Sequence, residues 1–139
     1  MDMQQKFTIL LVEDDECAGE LLTALLKRRF PRALIFLAAD GSSGLEAVRR
    51  NLPDIVITDI NMPEMDGVQL IKSIAAIKPD TQIIVVTAHS DHQIFDRITA
   101  TGVSVEIVFK PIVFETLMTA IKRSADSILN NQSVSVVLG

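Results

Sequence analysis

The sequence predicts an α/β fold of five βα units, in which a doubly wound five-stranded parallel sheet carries helices on both faces. Five short apolar runs alternate with longer segments of helical period, which is the pattern of consecutive βαβ units. The runs are nearly continuous and rich in Val and Ile, so both faces of each strand are expected to be buried. A length of 139 residues, 48% of them hydrophobic, suits one domain with a sizeable core.

The predicted strands and helices follow one another along the chain. The strands cover residues 7–12, 34–38, 55–60, 83–87 and 105–109. The first helical segment, which follows Asp15 as its N-cap and ends before Pro31, has one apolar stripe. The stripe consists of Ala18, Leu21, Leu22, Leu25 and Leu26. Three further helices begin with a polar residue and Glu or Gln three positions on: Ser43 with Glu46, Asp66 with Gln69, and Ser90 with Gln93. The fifth helix follows Pro111.

Composition and charge exclude several classes of protein. The 13 Lys+Arg and 18 Asp+Glu give a formal net charge of −5, whereas nucleic-acid-binding domains are usually basic. Cys17 is the single cysteine, so it permits no internal disulfide and gives no metal framework. The polar start is unlike a signal peptide, and no apolar run approaches the roughly 18 residues that cross a membrane. The sequence therefore predicts a cytoplasmic domain that binds neither nucleic acid nor membrane.

The chain is expected to divide into one domain over residues 1–129 and a C-terminal segment over residues 130–139. This segment begins with polar residues and ends in the apolar stretch VSVVLG. A mobile tail is the expectation, because chain ends are often poorly ordered. An added strand, and the start of a linker to a further domain, are the alternatives.

The residues that follow the predicted strands indicate where function lies, because open α/β sheets bind ligands beyond the carboxyl ends of their strands. Glu13 and Asp14 follow the first strand, and Asp59 ends the third. Carboxylates held about 4 Å apart repel one another by roughly 4 kcal/mol at a surface-like dielectric. Mg²⁺ relieves such repulsion and prefers oxygen ligands. The sequence therefore predicts a Mg²⁺ site of Asp14, Asp59 and a loop carbonyl, with Glu13 holding a bound water.

Two further residues at the same edge suit phosphoryl chemistry. Thr87 ends the fourth strand and supplies a hydroxyl, and Lys110 follows the fifth strand and supplies a cation. Both would complement a phosphoryl group on a carboxylate, since phosphoryl transfer depends mainly on positioning and charge neutralisation. Asp59 is the expected acceptor, because it is central and because carboxylates can form acyl phosphates.

In these residues the chain resembles the receiver domains of response regulators in two-component signalling, the CheY-like family. The matching segments are residues 9–15 (ILLVEDD), 59–67 (DINMPEMDG), 87–88 (TA) and 110–111 (KP), within a resemblance over residues 6–128. The resemblance implies a flavodoxin-like strand order 2-1-3-4-5. It also implies that the domain is no enzyme beyond its own Mg²⁺-dependent autophosphorylation and autodephosphorylation. A sensor histidine kinase or a phosphotransfer protein is the implied donor, and an output partner or output domain is the implied receiver of the signal.

By position, the resemblance assigns the phosphorylated aspartate to Asp59. It assigns Mg²⁺ ligation to Asp14, Asp59 and the backbone carbonyl of Asn61, with Glu13 acting through a water. These are the residues that the strand ends already indicate, with Asn61 added as the source of the loop carbonyl.

The same resemblance assigns the groups that contact the phosphoryl oxygens. Thr87 matches the switch hydroxyl, Lys110 matches its lysine partner, and the backbone N–H of Ala88 matches a further phosphoryl contact. The Lys110–Pro111 peptide bond is usually cis in the family. Gly67 matches a glycine where the backbone is expected to need a conformation disfavoured for other residues.

The sequence departs from the family pattern before Lys110. Many receivers have an aromatic residue three positions before this lysine, where the present chain has Ile107. An aromatic rotation at that position is therefore not expected, although phosphorylation and a change on the helix 4/strand 5 face are. His89, two residues after Thr87, lies where the family tunes the lifetime of its phosphoryl group.

Three other functions compete with the phospho-acceptor hypothesis. A Mg²⁺-dependent phosphohydrolase would usually need an acid two residues after its nucleophile, where Asn61 stands. A flavodoxin-like cofactor binder would be expected to have Trp or Tyr beside its flavin, and the chain has neither, nor a G-x-G-x-x-G or Walker motif. A pseudo-receiver that serves only as a protein docking module is the main alternative, to which Ile107 lends support.

Overall fold

The computed structural model describes residues 6–62, 65–88 and 92–138, with side chains up to residue 128. Five strands and five helices alternate along the chain. The strands are β1 Thr8–Val12, β2 Leu34–Ala38, β3 Ile55–Asp59, β4 Gln82–Thr87 and β5 Glu106–Phe109. The helices are α1 Glu16–Arg29, α2 Gly41–Asn51, α3 Gly67–Ile77, α4 His92–Ala100 and α5 Phe114–Leu138. The strands form one parallel sheet in the order β2-β1-β3-β4-β5, which confirms the predicted fold class and strand order.

The core forms two layers, one on each face of the sheet. Ile9, Leu11 and Ile57 point to one face and pack with residues of α1 and α5. Leu10 and Val56, on alternate positions, point to the other face and pack with residues of α2, α3 and α4. The inner strands are therefore apolar at most positions on both faces, because each face carries its own layer of helices.

Helix starts follow the expected chemistry, with one correction. The side chain of Asp15 accepts a hydrogen bond from the Ala18 N–H, and Asp66 caps α3 by accepting from the Val68 N–H. The prediction that α2 begins at Ser43 is wrong, because Asp40 is its N-cap. The Asp40 carboxylate accepts from the Ser43 N–H at 2.7 Å and also from its hydroxyl, so Ser43 lies inside the first turn. Ser90, the expected start of the fourth helix, lies outside the described residues.

The prediction of burial on both faces is wrong for β2. Leu34, Phe36 and Leu37 keep 57%, 37% and 41% of their surface exposed. β2 is the edge strand of the sheet, so α1 and α2 cover only part of its two faces. Leu21, assigned to the inward stripe of α1, is 62% exposed, because only part of that stripe faces the sheet.

Helix α5 continues to Leu138, over most of the segment expected to be a tail. The alternative of an added strand is therefore wrong for residues 130–138, and the division between domain and C-terminal segment stays a prediction. Among the described residues, no helix is long and apolar enough to span a membrane.

Candidate functional site

Three carboxylates meet where β1 and β3 end. The two strands are neighbours, with Val12 opposite Thr58, so residue 13 comes level with Asp59 and residue 14 lies one position beyond it. One carboxylate oxygen from each of Glu13, Asp14 and Asp59 lies within 4.8 Å of the others. The sheet topology thus produces the cluster that the strand ends predicted.

Asp59 is buried, and both of its carboxylate oxygens have partners. The Asn61 N–H donates to Oδ1 at 3.0 Å, and the Lys110 ammonium donates to Oδ2 at 2.5 Å. The hydrogen bond to Asp59 raises the pKa of Lys110, against the opposing effect of its burial, so the lysine is firmly cationic. The carboxylate is therefore held in one orientation by a fixed amide and a fixed positive charge.

The surroundings of Glu13 disfavour the charged form of its carboxyl group, in contrast to the well-partnered carboxylate of Asp59. Burial raises the pKa of its carboxyl, and the nearby Asp59 charge acts in the same direction, although the Asp15 N–H donates to it at 3.2 Å. A carboxyl group whose charge is disfavoured gains most from a cation placed among the acids. The position of Glu13 therefore favours cation binding at this cluster.

The donor set fits Mg²⁺. Carboxylate oxygens are hard ligands, and Mg²⁺ usually retains several waters, which requires access to solvent. The cluster opens into a groove lined by Glu13, Asp14, Asp15, Ala18, Asp59, Lys110, Pro111 and Ile112. Asp14 and Asn61 are exposed at the cluster, so solvent can reach a metal held there.

Thr87 lies at the end of β4, between the strands that carry Asp59 and Lys110. Its backbone carbonyl accepts from the Lys110 N–H at 2.8 Å. Its side chain is fully buried, and within the described part of the chain its hydroxyl has no hydrogen-bond partner. A buried hydroxyl without a partner is costly unless a ligand or water completes it. Ala88 follows and is partly exposed, whereas His89 lies outside the described residues.

Gly67, the first residue of α3, contacts the residue at which the loop after β3 begins. The Gly67 N–H donates to the Ile60 carbonyl at 3.3 Å, and a Cβ at this position would lie 2.7 Å from that same oxygen. Gly67 does not have a positive φ, so the expectation of a disfavoured backbone conformation is wrong. A glycine is required at this position because a side chain would collide with the backbone of Ile60, which cannot move aside as a flexible side chain can.

Two residues that line the groove and one ion pair outside it were not predicted from sequence. Ala18 and Ile112 line the groove, one a turn after the acidic pair and the other directly after Pro111. Arg97 of α4 forms an ion pair with Asp66, the cap of α3. Ala18 could have been found from its spacing to Asp14, whereas the Arg97 contact joins two helices and leaves no local signal.

The strand before Lys110, β5, has an aromatic residue at Phe109, directly before the lysine, and an isoleucine at position 107. Phe109 is opposite Thr87 in the β4–β5 register, and it shares its strand face with Ile107. Its ring packs edge-to-face against Phe95 of α4, with centroids 5.8 Å apart. The Lys110–Pro111 peptide bond that follows is cis, as the resemblance implies.

The chain is similar over most of its length to proteins of one known family. The family model described as the response regulator receiver domain matches residues 9–122. The probable C4-dicarboxylate response regulator DctR of Priestia megaterium is 29% identical over 120 residues, which are 86% of this chain and 52% of that protein. The transcriptional regulatory protein ZraR of Escherichia coli (strain K12) is 32% identical over 116 residues, 84% of this chain and 26% of that protein.

A solved structure shows the same fold. The response regulator receiver domain protein (CheY-like) of Methanospirillum hungatei JF-1 superimposes with a TM-score of 0.80 at 23% identity, over 91% of this chain and 99% of that one. The solved domain is thus covered almost completely. The chain spans about half of DctR and about a quarter of ZraR.

Proposed function

Because the chain belongs to the response regulator receiver domain family of two-component systems, we propose that it is a phospho-acceptor switch with Asp59 as its acceptor. The observation that carries the proposal is the pairing of a buried carboxylate with Lys110 beside two further acids. In this reaction an oxygen of Asp59 bonds to phosphorus while the bond from phosphorus to the donor nitrogen breaks. The donor is a phosphohistidine of a sensor kinase or phosphotransfer protein, whose imidazole leaves.

The acidic cluster would serve as a Mg²⁺ site in this reaction. Asp14, Asp59 and the backbone carbonyl of Asn61 would hold the ion, with Glu13 acting through a water. When bound there, Mg²⁺ would neutralise charge on the carboxylates and on the phosphoryl oxygens. The chain's own residues supply the fixed geometry, since the Asn61 N–H holds Asp59 in place before the donor arrives.

Lys110, Thr87 and Ala88 would bind the phosphoryl oxygens. The Asp59 carboxylate, which now pairs with Lys110, loses its negative charge when it forms the acyl phosphate, so the lysine ammonium can turn to the charged oxygens of the new group. Thr87 has a buried hydroxyl ready to donate, and the Ala88 N–H is next along the backbone. The new group adds a charge of about −1.5 to −2. Movement of Thr87 toward it would change the segment that leads into α4, and with it the helix 4/strand 5 face.

Intact-mass measurement after incubation with acetyl phosphate tests the proposal. We expect the mass gain of one phosphoryl group with Mg²⁺ and none with a chelator. Asp59→Asn should abolish the gain, whereas Asp80→Asn, an exposed acid outside the cluster, should retain it. A failure to gain mass in the folded wild-type protein would contradict the proposal and favour a docking module that is not phosphorylated.

A further inference from the structure

The edge strand β2 presents apolar side chains that the described structure covers only in part: Leu34, Phe36 and Leu37. Side chains at every second position of a strand point to the same face. Ala38 belongs to the core layer on the α2 side, so Leu34 and Phe36 project on that side as well. Leu37 projects on the α1 face, where Ile35 packs against the other core layer. Natural proteins usually protect an edge strand with charges, proline or a bulge, because its free backbone groups can pair with another chain. β2 has none of these over Leu34–Ala38.

The backbone of β2 shows which residues are available for such pairing. The Leu34 N–H donates to the Phe7 carbonyl, and the Ala38 carbonyl accepts from the Glu13 N–H, so these residues face β1. Alternate residues of a strand direct their backbone groups to opposite sides. The N–H and C=O groups of Ile35 and Leu37 therefore face the open edge.

The charges around β2 are segregated along the strand direction. Four exposed basic residues lie at its N-terminal end: Lys27, Arg28, Arg29 and Arg32. Acidic residues lie at the opposite end, where Asp40 follows β2 and where the neighbouring β1 leads into Glu13, Asp14 and Asp15. An antiparallel arrangement of two such edges would place the basic end of each beside the acidic end of the other.

We propose that two copies of this chain pair antiparallel along β2 and form a continuous ten-stranded sheet, with Phe36 on the two-fold axis. This register matches the backbone, because Ile35 and Leu37 then lie opposite each other and can exchange hydrogen bonds at both ends. Phe36 lies opposite Phe36 of the second copy, at a pair without backbone hydrogen bonds where side chains approach most closely. Beyond the strand ends, Arg32 is level with Asp40 of the second copy.

The second copy is the occupant that the charges favour. A two-fold contact is self-complementary, so one strand must supply both surfaces, and this strand has opposite charges at its two ends. A purely acidic or purely basic segment of another protein would meet repulsion at one end of β2. The pairing uses neither Asp59 nor Lys110, so it is independent of the proposed phosphorylation.

Sedimentation velocity over a concentration series tests the proposal on the full chain. We expect a dimer at about 100 µM, with weakening of at least about tenfold in Phe36→Lys and in Arg32→Glu. Leu21→Lys, which changes an exposed apolar residue on α1, should dimerise like the wild type. A wild-type protein that stays monomeric throughout, or a dimer that Phe36→Lys leaves unchanged, would overturn the proposal. Circular dichroism checks that each variant is folded.

Disulfide trapping tests the register. In a Cys17→Ser background, Phe36→Cys places two thiols opposite each other across the two-fold axis and should give a covalent dimer under mild oxidation. Leu34→Cys is the matched control, because it would lie opposite Ala38 of the second copy and far from its own counterpart. Equal trapping of both variants, or trapping of Leu34→Cys alone, would contradict this register.

Discussion

The Lys110 ammonium lies 2.5 Å from Oδ2 of Asp59, although 51 residues separate the two in the chain. The topology alone brings them together, because β3 and β5 both end at the same edge and flank β4. The salt bridge joins the proposed acceptor to the strand that leads into α5. A change of charge at Asp59 would therefore act directly on Lys110, which lies between β5 and α5.

Removal of the Lys110 charge should slow phosphorylation of Asp59. We expect Lys110→Gln to lower the rate of phosphorylation by acetyl phosphate by about a hundredfold. Removal of one preorganised hydrogen-bond donor to a group that gains negative charge in the transition state has an effect of this size in enzymes. Phosphate-affinity gels measure the rate, and Lys122→Gln on the exposed face of α5 is the control. An unchanged rate in folded Lys110→Gln would show that Lys110 does not contact the phosphoryl group.

Mg²⁺ should stabilise the unphosphorylated protein. A ligand at ten times its dissociation constant adds about 1.4 kcal/mol to the free energy of unfolding. Thermal melts should therefore shift upward with Mg²⁺ in the wild type and in Asp80→Asn. They should not shift in Asp14→Asn, which lacks one of the clustered carboxylates. A full shift in Asp14→Asn would place the ion elsewhere.

Gly67→Ala should destabilise the fold and slow phosphorylation together. The added Cβ would meet backbone atoms of Ile60 at 2.7 and 2.8 Å, so the loop that carries Asn61 must move. We expect a loss of about 1–3 kcal/mol in urea unfolding. Gly19→Ala is the control, because the only close contacts of its Cβ, at 3.0 and 3.3 Å, are with the end of the flexible Leu37 side chain, and the Glu13 Cβ lies at an ordinary 3.7 Å. Equal stability of Gly67→Ala and the wild type would contradict the steric role.

The Asp66–Arg97 ion pair should contribute a pH-dependent part of stability. Burial acts to raise the pKa of Asp66, but hydrogen bonds from Arg97 and from the Val68 N–H outweigh it and lower that pKa. Because the folded-state pKa is depressed, the contribution is present above the unfolded pKa of about 3.9 and is lost as pH falls through the folded value. Both side chains are partly exposed, so Arg97→Gln should lower the free energy of unfolding by at most about 1 kcal/mol at pH 7.

Urea unfolding from pH 7 down to pH 2 measures this contribution. The difference between Arg97→Gln and the wild type should shrink once Asp66 is protonated in both proteins. Arg50→Gln, which breaks the exposed pair with Glu46 on α2, is the comparison variant and should show a smaller effect at pH 7. A difference for Arg97→Gln that stays constant over the whole range would exclude Asp66 as its partner.

Much of the fold and the site was predictable because both depend on local pattern and on topology. Alternating apolar runs give the strands, and the rule that ligands bind beyond strand ends brings Asp14, Asp59 and Lys110 together. The exposure of Leu34 and Phe36 was not predictable from the apolar pattern, because β2 is as apolar as the inner strands. Only the strand order that the resemblance implied placed this strand at the edge of the sheet.

Other features were missed because they depend on contacts between distant segments. Asp40 and Ser43 are both good N-caps, and only the backbone path decides between them. The need for Gly67 comes from the nearby Ile60 carbonyl, which sequence alone does not place. The Arg97–Asp66 pair likewise joins residues 31 positions apart.

Locating the phosphoryl group on the protein is the most direct test of Asp59 as the acceptor. After reaction with acetyl phosphate and Mg²⁺, borohydride reduces an acyl phosphate to an alcohol, so the modified aspartate becomes homoserine and can be found by peptide mass spectrometry. We expect homoserine at position 59 alone, as the assignment of Asp59 as the acceptor requires. Homoserine at Asp14 or Asp15 instead, or at no position in protein that is folded and binds Mg²⁺, would contradict it.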